Sequence, residues 1–352
     1  MTNFCRPWIV SALPWLVFGC GALPNPTGPD SVSTRELPSV IEKMERARPG
    51  VFPATQPAPD GALGRNRSDG RYSSVRWQLD LLSLAAGGVA RNDAEPVEAG
   101  LRALEYGFRH QIGGGGFDFS PIPGISQVPT EADLASAAAF FLASAGASVF
   151  LLDRCPWVQT NIGLRSRISA LDPGLAEALS YLKAREALLM EADAKAPNRL
   201  LFDAMGALAL SRHLSNSEGI ELARRFVEKA LALQDPAGWF KEGSGYDSSY
   251  QAVGALNLFY TAMMWPEDRF QQDLFDAFYR GAAWECGRIL PSGEVSTFGN
   301  SRVFPGGESF LGEGKTVAAL SVAQCLYAAG GLFGDSTFSA WADRVVKYYF
   351  KR

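Results

Sequence analysis

Between positions 238 and 250 the chain reads Gly238-Trp-Phe-Lys-Glu-Gly-Ser-Gly-Tyr-Asp-Ser-Ser-Tyr250, a stretch that holds two phenols, two carboxylates and an indole. A phenol is a weak acid with an unperturbed pKa of about 10, and it becomes a useful base only where a nearby cation favours its anion. Tyr246 and Tyr250 are the two candidates, and cations occur elsewhere in the chain at Arg199, Arg302, Lys315 and Arg76. Asn198 precedes Arg199, and Asn300 precedes Arg302 by two positions. Amides and guanidinium groups of this kind neutralise a carboxylate while a proton leaves the carbon beside it. The chemistry these types could do together is proton abstraction next to a carboxylate, with the phenol carrying the proton. His110, just ahead of Gly113-Gly-Gly-Gly-Phe-Asp118, is a further acid or base candidate. Trp239, Glu242, Asp247, Asn300, Arg302, Lys315, Arg76 and Trp77 are candidate ligand contacts, and Glu294, Thr297 and Glu308 accompany them.

Each of these residues also has a structural explanation. Ser248 and Gln251 stand at capping-box spacing, so Asp247 or Ser248 could start a helix. Asn198 after Pro197 reads as an N-cap, and Tyr250 as wall packing. His110 suits a helix C-terminus, and His213, at the far end of its helix, reads as structural. The four glycines permit a turn, and no phosphate-loop motif is present. Cys155, Cys286 and Cys325 are an odd number without close spacing. They fit buried thiols better than a disulfide framework or a zinc site, and no metal or cofactor is expected.

The elements that must position these residues come in a repeated two-beat unit. A charged amphipathic helix ends in a Gly/aromatic loop, and an Ala/Gly-rich helix with almost no charge follows. Charge-poor helices are predicted at 73–89, 131–147, 198–213, 248–263 and 315–330. Amphipathic helices are predicted at 95–111, 172–189, 218–234, 267–289 and 337–351. The run Ala135-Ser-Ala-Ala-Ala-Phe-Phe-Leu-Ala-Ser-Ala-Gly-Ala147 is apolar on every face and must be surrounded. Glu221, Arg224, Arg225 and Glu228 instead wet one face of their helix. The pattern predicts an all-α fold, an α/α toroid of five pairs with a partial sixth. An α-solenoid is the competing arrangement. Three of the four amphipathic-to-apolar connections, 112–130, 235–247 and 290–314, are long and Gly-rich, and 190–197 is shorter. The candidate residues therefore gather on one rim, where inner-helix N-termini favour an anionic ligand.

With 352 residues the chain can bury a substantial core. A net charge of −4 argues against a nucleic-acid partner. Residues 1–20 read as a leader with Cys5 near its start, and Val17-Phe-Gly-Cys20 approximates the lipobox at which bacterial lipoproteins are acylated on cysteine. Gly21 carries no retention charge, which favours the outer membrane, facing periplasm or surface. Residues 21–70 read as a Pro/Gly-rich tether, interrupted by a short helix from Leu37 to Arg48 that docks as an incomplete outer helix. Residues 71–352 form the toroid domain.

The 238–250 stretch resembles the G-x-F-x-E-G-x-x-Y-x-x-Y segment of α/α-toroid polysaccharide lyases, the heparinase II/III-like and oligoalginate lyase group. Asn198-Arg-Leu-Leu-Phe-Asp-Ala-Met-Gly-Ala-Leu208 resembles the helix where that family places Asn beside His; here Arg199 stands in place of the His. The resemblance covers about 195–330 and implies β-elimination on a uronate-containing glycan. It implies Tyr246 or Tyr250 as the acid/base and Asn198 as a neutraliser of the substrate carboxylate. Two other functions fit the same residues. One is a glycoside hydrolase using two carboxylates among Glu242, Asp247, Glu294 and Asp118. The other is a non-catalytic glycan-binding envelope protein in which Trp239, Trp77 and Phe298 stack on sugar rings.

Overall fold

The computed structural model describes residues 36–121, 128–310 and 312–350. The expected leader at residues 1–20, with Cys5 and Cys20, lies outside them, as do positions 122–127 of the 112–130 connection. By its contacts the chain divides into Met1–Asp30 and a compact unit Ser31–Arg352, and the elements below belong to the second. They are α1 (Leu37–Ala47), α2 (Gly64–Ser68), a 3-10 turn at Val75–Gln78, α3 (Leu81–Arg91) and α4 (Ala94–Arg109). Next come α5 (Glu131–Asp153), the short α6 (Pro156–Thr160) and α7 (Ile162–Ser169), α8 (Asp172–Ala184) and α9 (Glu186–Ala192). The remainder is α10 (Pro197–Leu214), α11 (Ser217–Leu231), α12 (Ser248–Met264), α13 (Arg269–Cys286), α14 (Ala319–Phe333) and α15 (Ser336–Tyr349). A hairpin of two-residue strands, β1 (Ser309–Phe310) and β2 (Glu313–Gly314), precedes α14. The unit is mostly helical.

The alternation of surrounded and one-sided helices is present. α5 is buried almost all round from Ala135 to Leu152, and a reciprocal capping box between Thr130 and Asp133 starts it. α11 buries only the stripe Leu222, Ala223, Phe226, Val227 and Ala230. Small residues let α5 and α10 approach closely. A Cβ added at Gly146 would lie 2.8 Å from Ala209 Cβ, and one at Gly206 would lie 3.2 Å from the Ala143 nitrogen. Cys155, Cys286 and Cys325 are buried thiols.

Two helix starts lie four or more residues from expectation. α3 begins at Leu81 because Ser74 is extended and caps the 3-10 turn through Arg76 N. α14 begins at Ala319 because the Lys315 nitrogen turns back to the Glu308 carbonyl across the hairpin. The residues from 36 to 70 are also not a loose arm. Leu37, Val40, Ile41 and Met44 are at most 1% exposed, and Val51, Phe52 and Leu63 join the same core. α1 packs on α3 and α14, two charge-poor helices, instead of docking outside. Proline and glycine mark the connections of this segment, whereas the apolar spacing at 37, 40, 41 and 44 makes a stripe that needs a partner.

The connections repeat one turn four times. In 58–62, 112–116, 235–239 and 290–294 the first residue's N–H reaches the fifth residue's carbonyl, and the fourth residue's N–H reaches the first's. The fourth residue is Gly61, Gly115, Gly238 or Gly293, with φ of 100°, 82°, 104° and 94°. A Cβ there would sit within 2.2 Å of a carbonyl oxygen of α4, α8, α13 or α15, so only glycine lets the turn press on the next outer helix. Two residues later Leu63, Phe117, Phe240 and Val295 plug into the core. Gln78 and Gln251 brace two of these turns alike. Each accepts from the plug residue's N–H and donates to the turn glycine's carbonyl and to an outer-helix carbonyl.

Candidate functional site

Asp247 is the residue that starts α12. Its Oδ1 accepts from Ser249 N at 3.0 Å and Tyr250 N at 3.1 Å. Its Oδ2 accepts from Arg302 N at 3.1 Å and Val303 N at 2.7 Å. One buried carboxylate thus caps the helix and ties the 287–308 loop to it. Asn300 adds a second tie, accepting from Ser248 N and donating to the Val303 carbonyl. Ser301 donates its N–H to the Tyr246 carbonyl and its hydroxyl to the Glu242 carbonyl. Asp247 and Asn300 are therefore spent on architecture, and what they position is Arg302 against Tyr250.

The Tyr250 hydroxyl donates to Glu308 Oε2 at 2.9 Å and accepts from Lys315 Nζ at 2.5 Å. Arg302 lies 4.1 Å from the centre of the Tyr250 ring. Its Nε and Nη2 grip both Glu308 oxygens at 3.0 Å, and its Nη1 donates to Glu242 Oε2 at 3.0 Å. Lys315 Nζ also donates to Glu308 Oε1 at 2.9 Å. Glu308 therefore receives donors on both oxygens. Glu242 is 1% exposed, and its Oε1 has no protein partner.

These contacts drive the two carboxyls apart. Burial alone would raise Glu308, but hydrogen bonds from Lys315, Arg302 and Tyr250 outweigh it and hold the group at about 2. Burial raises Glu242 to about 7 against the pull of Arg302 and a backbone N–H of Asn198. Tyr250 is raised as well, by burial first and then by its hydrogen bond to Glu308, with Arg302 opposing. At neutral pH this phenol is protonated at rest.

A second cationic group lies within electrostatic reach of this one. Asn198 is the second residue of α10, not its cap, and is 4% exposed with Oδ1 lacking a protein partner. Arg199 pairs with buried Asp193 at 3.2 Å. Arg76 lies 4.4 Å from the Phe140 ring centre, and burial followed by the charge of Arg199 lowers its pKa, while Tyr250 opposes. Arg76, Arg199 and Tyr250 thus share one electrostatic neighbourhood. Asp193 is raised by burial despite Arg199, and fully buried Asp203 is raised further by burial and by the Asp193 charge.

Other candidates sit elsewhere. Tyr246 precedes the helix, because Asp247 is extended, so the two phenols do not share a helical face. Its ring packs edge-on against Trp239 and Trp284, with Arg288 over it at 4.8 Å. His110 caps α4 and stacks on Tyr72 at 3.6 Å, with Tyr106 beside it. Burial and then Arg109 lower its pKa against Asp118 and Asp60. Trp77 follows Arg76, and its backbone lies against Gly64. His213 bridges Asp153 and Asp172 at 2.6 and 2.8 Å, joining α5, α10 and α8. Asp193, Asp203, Trp284 and Arg288 were not singled out by sequence; the only signal available was a carboxylate inside a charge-poor helix at Asp203. Two surface grooves of about 480 and 450 Å³, along α11–α13 and α8–α11, are lined by none of the Tyr250 group.

A scan against protein-family models matches no family, and searches among curated proteins and solved structures return no match.

Proposed function

We propose that this protein is a polysaccharide lyase-like enzyme that cleaves an acidic, uronate-containing glycan by β-elimination. The observation that carries this is the Tyr250 hydroxyl, held between Lys315 and Glu308 with Arg302 across its ring. In its phenolate form, stabilised by those two cations, Tyr250 takes the proton from C5 of the uronate. The negative charge spreads into the carboxylate, which Arg76, Arg199 and Asn198 are suited to neutralise. The C4–O bond then breaks, its electron pair leaves with the glycosidic oxygen, and Tyr250 returns the proton to that oxygen. The products are a C4=C5 unsaturated uronate and a new hydroxyl end; no water is consumed.

A ring arrangement accounts for why such distant segments meet. α3, α5, α10, α12 and α14 pack each on the next, and α1 packs on both α14 and α3. With α4, α8, α11, α13 and α15 outside, this supports an α/α toroid whose turn-bearing connections share one mouth. The lipobox-like leader supports attachment to the bacterial envelope through a lipid on Cys20, with the outer membrane favoured.

One observation favours a second function. Glu242 at about 7 and Glu308 at about 2 are separated as the acid and base of a glycoside hydrolase are. Incubation with alginate, heparosan, hyaluronan and pectate separates the two. Elimination yields the ultraviolet absorbance of an unsaturated uronate, and hydrolysis yields reducing ends without it. Reducing ends alone would overturn the lyase proposal.

A further inference from the structure

Beside the Tyr250 group the 287–308 loop exposes two aromatic side chains, Phe298 at 77% and Phe304 at 41%. Beneath Phe298 lies an ordered layer. Its carbonyl accepts from the Tyr246 hydroxyl and from Arg288 Nη2. Tyr246 packs edge-on against Trp239 at 5.8 Å and Trp284 at 5.3 Å, and Arg288 spans the Tyr246 and Trp284 rings at 4.8 and 5.5 Å. Trp239, Tyr246, Trp284 and Arg288 are all half-buried, so the layer is neither sealed core nor free side chains.

This surface is continuous with the site. Phe298 and Arg302 belong to one loop, and Ser301 N is bonded to the Tyr246 carbonyl at 2.8 Å. A pyranose ring has an apolar C–H face and a polar rim of hydroxyls. An exposed aromatic ring matches the first part and a nearby guanidinium matches the second, and rigid aromatic rings lose little entropy on binding.

We propose that Phe298, with Phe304 and the Trp239–Tyr246–Trp284–Arg288 layer behind it, is a sugar-stacking subsite. It takes the pyranose units of the glycan chain that extend beyond the uronate held at Tyr250. The inference rests on the acidic-glycan reading of that site and adds chain-length selectivity to it. A disaccharide fills only the Tyr250 group; a hexasaccharide also covers the aromatic surface.

The test measures binding and turnover separately, for the full chain and its Phe298→Ser and Phe304→Ser variants. Both side chains are exposed, so neither change threatens the fold. The probes are disaccharides and hexasaccharides of alginate, heparosan, hyaluronan and pectate. Binding is read from tryptophan fluorescence and turnover from unsaturated product. The expected result is a hexasaccharide affinity weakened about ten-fold in Phe298→Ser, with disaccharide affinity unchanged. Hexasaccharide affinity that ignores both substitutions overturns the subsite, even if turnover persists. Phe298-dependent binding without turnover supports the subsite and overturns the catalytic reading instead. Concentration-dependent self-association lost in Phe298→Ser, with no sugar binding, assigns the surface to a second copy and overturns the proposal.

Discussion

Glu242 is an acid whose two oxygens have different neighbours: one faces Arg302 and the other has no protein partner. Its pKa is raised from 4.5 to about 7 by burial. A group raised on folding contributes stability that is fully present below its unfolded pKa and lost as pH rises through its folded one. For Glu242 the window runs from about 4.5 to about 7, and the shift corresponds to about 3 kcal/mol. Glu242→Gln keeps an acceptor for Arg302 but does not ionise. Urea unfolding at about pH 4 and about pH 8 should show wild type losing about 3 kcal/mol more than the variant across that interval; parallel losses would contradict the burial argument. At this scale Tyr250 and Arg302 were legible in sequence, because a phenol and a guanidinium announce their chemistry by type. The separation of Tyr246 from Tyr250 was not, because it turns on Asp247 being extended. Glu242 was legible as a candidate carboxylate, but its pairing was not, since its partner arrives from a loop 60 residues away.

The helices were largely readable from charge alone, since a stretch without charges has no face to give to water. α5, α10 and α12 begin within a residue of their expected starts. The failures, at α3 and α14, lie where a side chain or hairpin satisfies backbone groups that a helix would otherwise use. The glycines divide in the same way. Gly238 and Gly293 mark loops in any reading, while Gly146, mid-helix, looks replaceable. Helix propensity alone predicts that Gly146→Ala stabilises by about 1 kcal/mol. The 2.8 Å approach to Ala209 Cβ reverses the sign. A thermal or urea melt should show Gly146→Ala destabilised by about 1–3 kcal/mol through overpacking against α10. A stabilised variant would mean that α5 and α10 are not in such close contact.

For the molecule as a whole, the largest departure from the sequence-based expectation is α1. Composition assigns its surroundings to a tether, yet α1 spans from α3 to α14 and Met44 is fully buried there. Met44→Ala should cost about 2–5 kcal/mol, as for a core methionine. A change below about 0.5 kcal/mol, normal for a surface residue, would return the segment to tether status and leave the proposed ring open between α3 and α14. The proposed ring matters because it would bring the first turn of α12, the loop after α13, the start of α10 and the turn before α3 to one mouth around Tyr250. The most direct test of that account is the pH dependence of unsaturated-product formation. In the proposed elimination Tyr250 must lose its proton to act, and its pKa lies above the ordinary value of about 10. The rate at limiting substrate should therefore climb about ten-fold per pH unit through the alkaline range, and Tyr250→Phe should abolish it. A rate that instead falls as pH rises through about 7, following Glu242, and survives Tyr250→Phe would contradict the account.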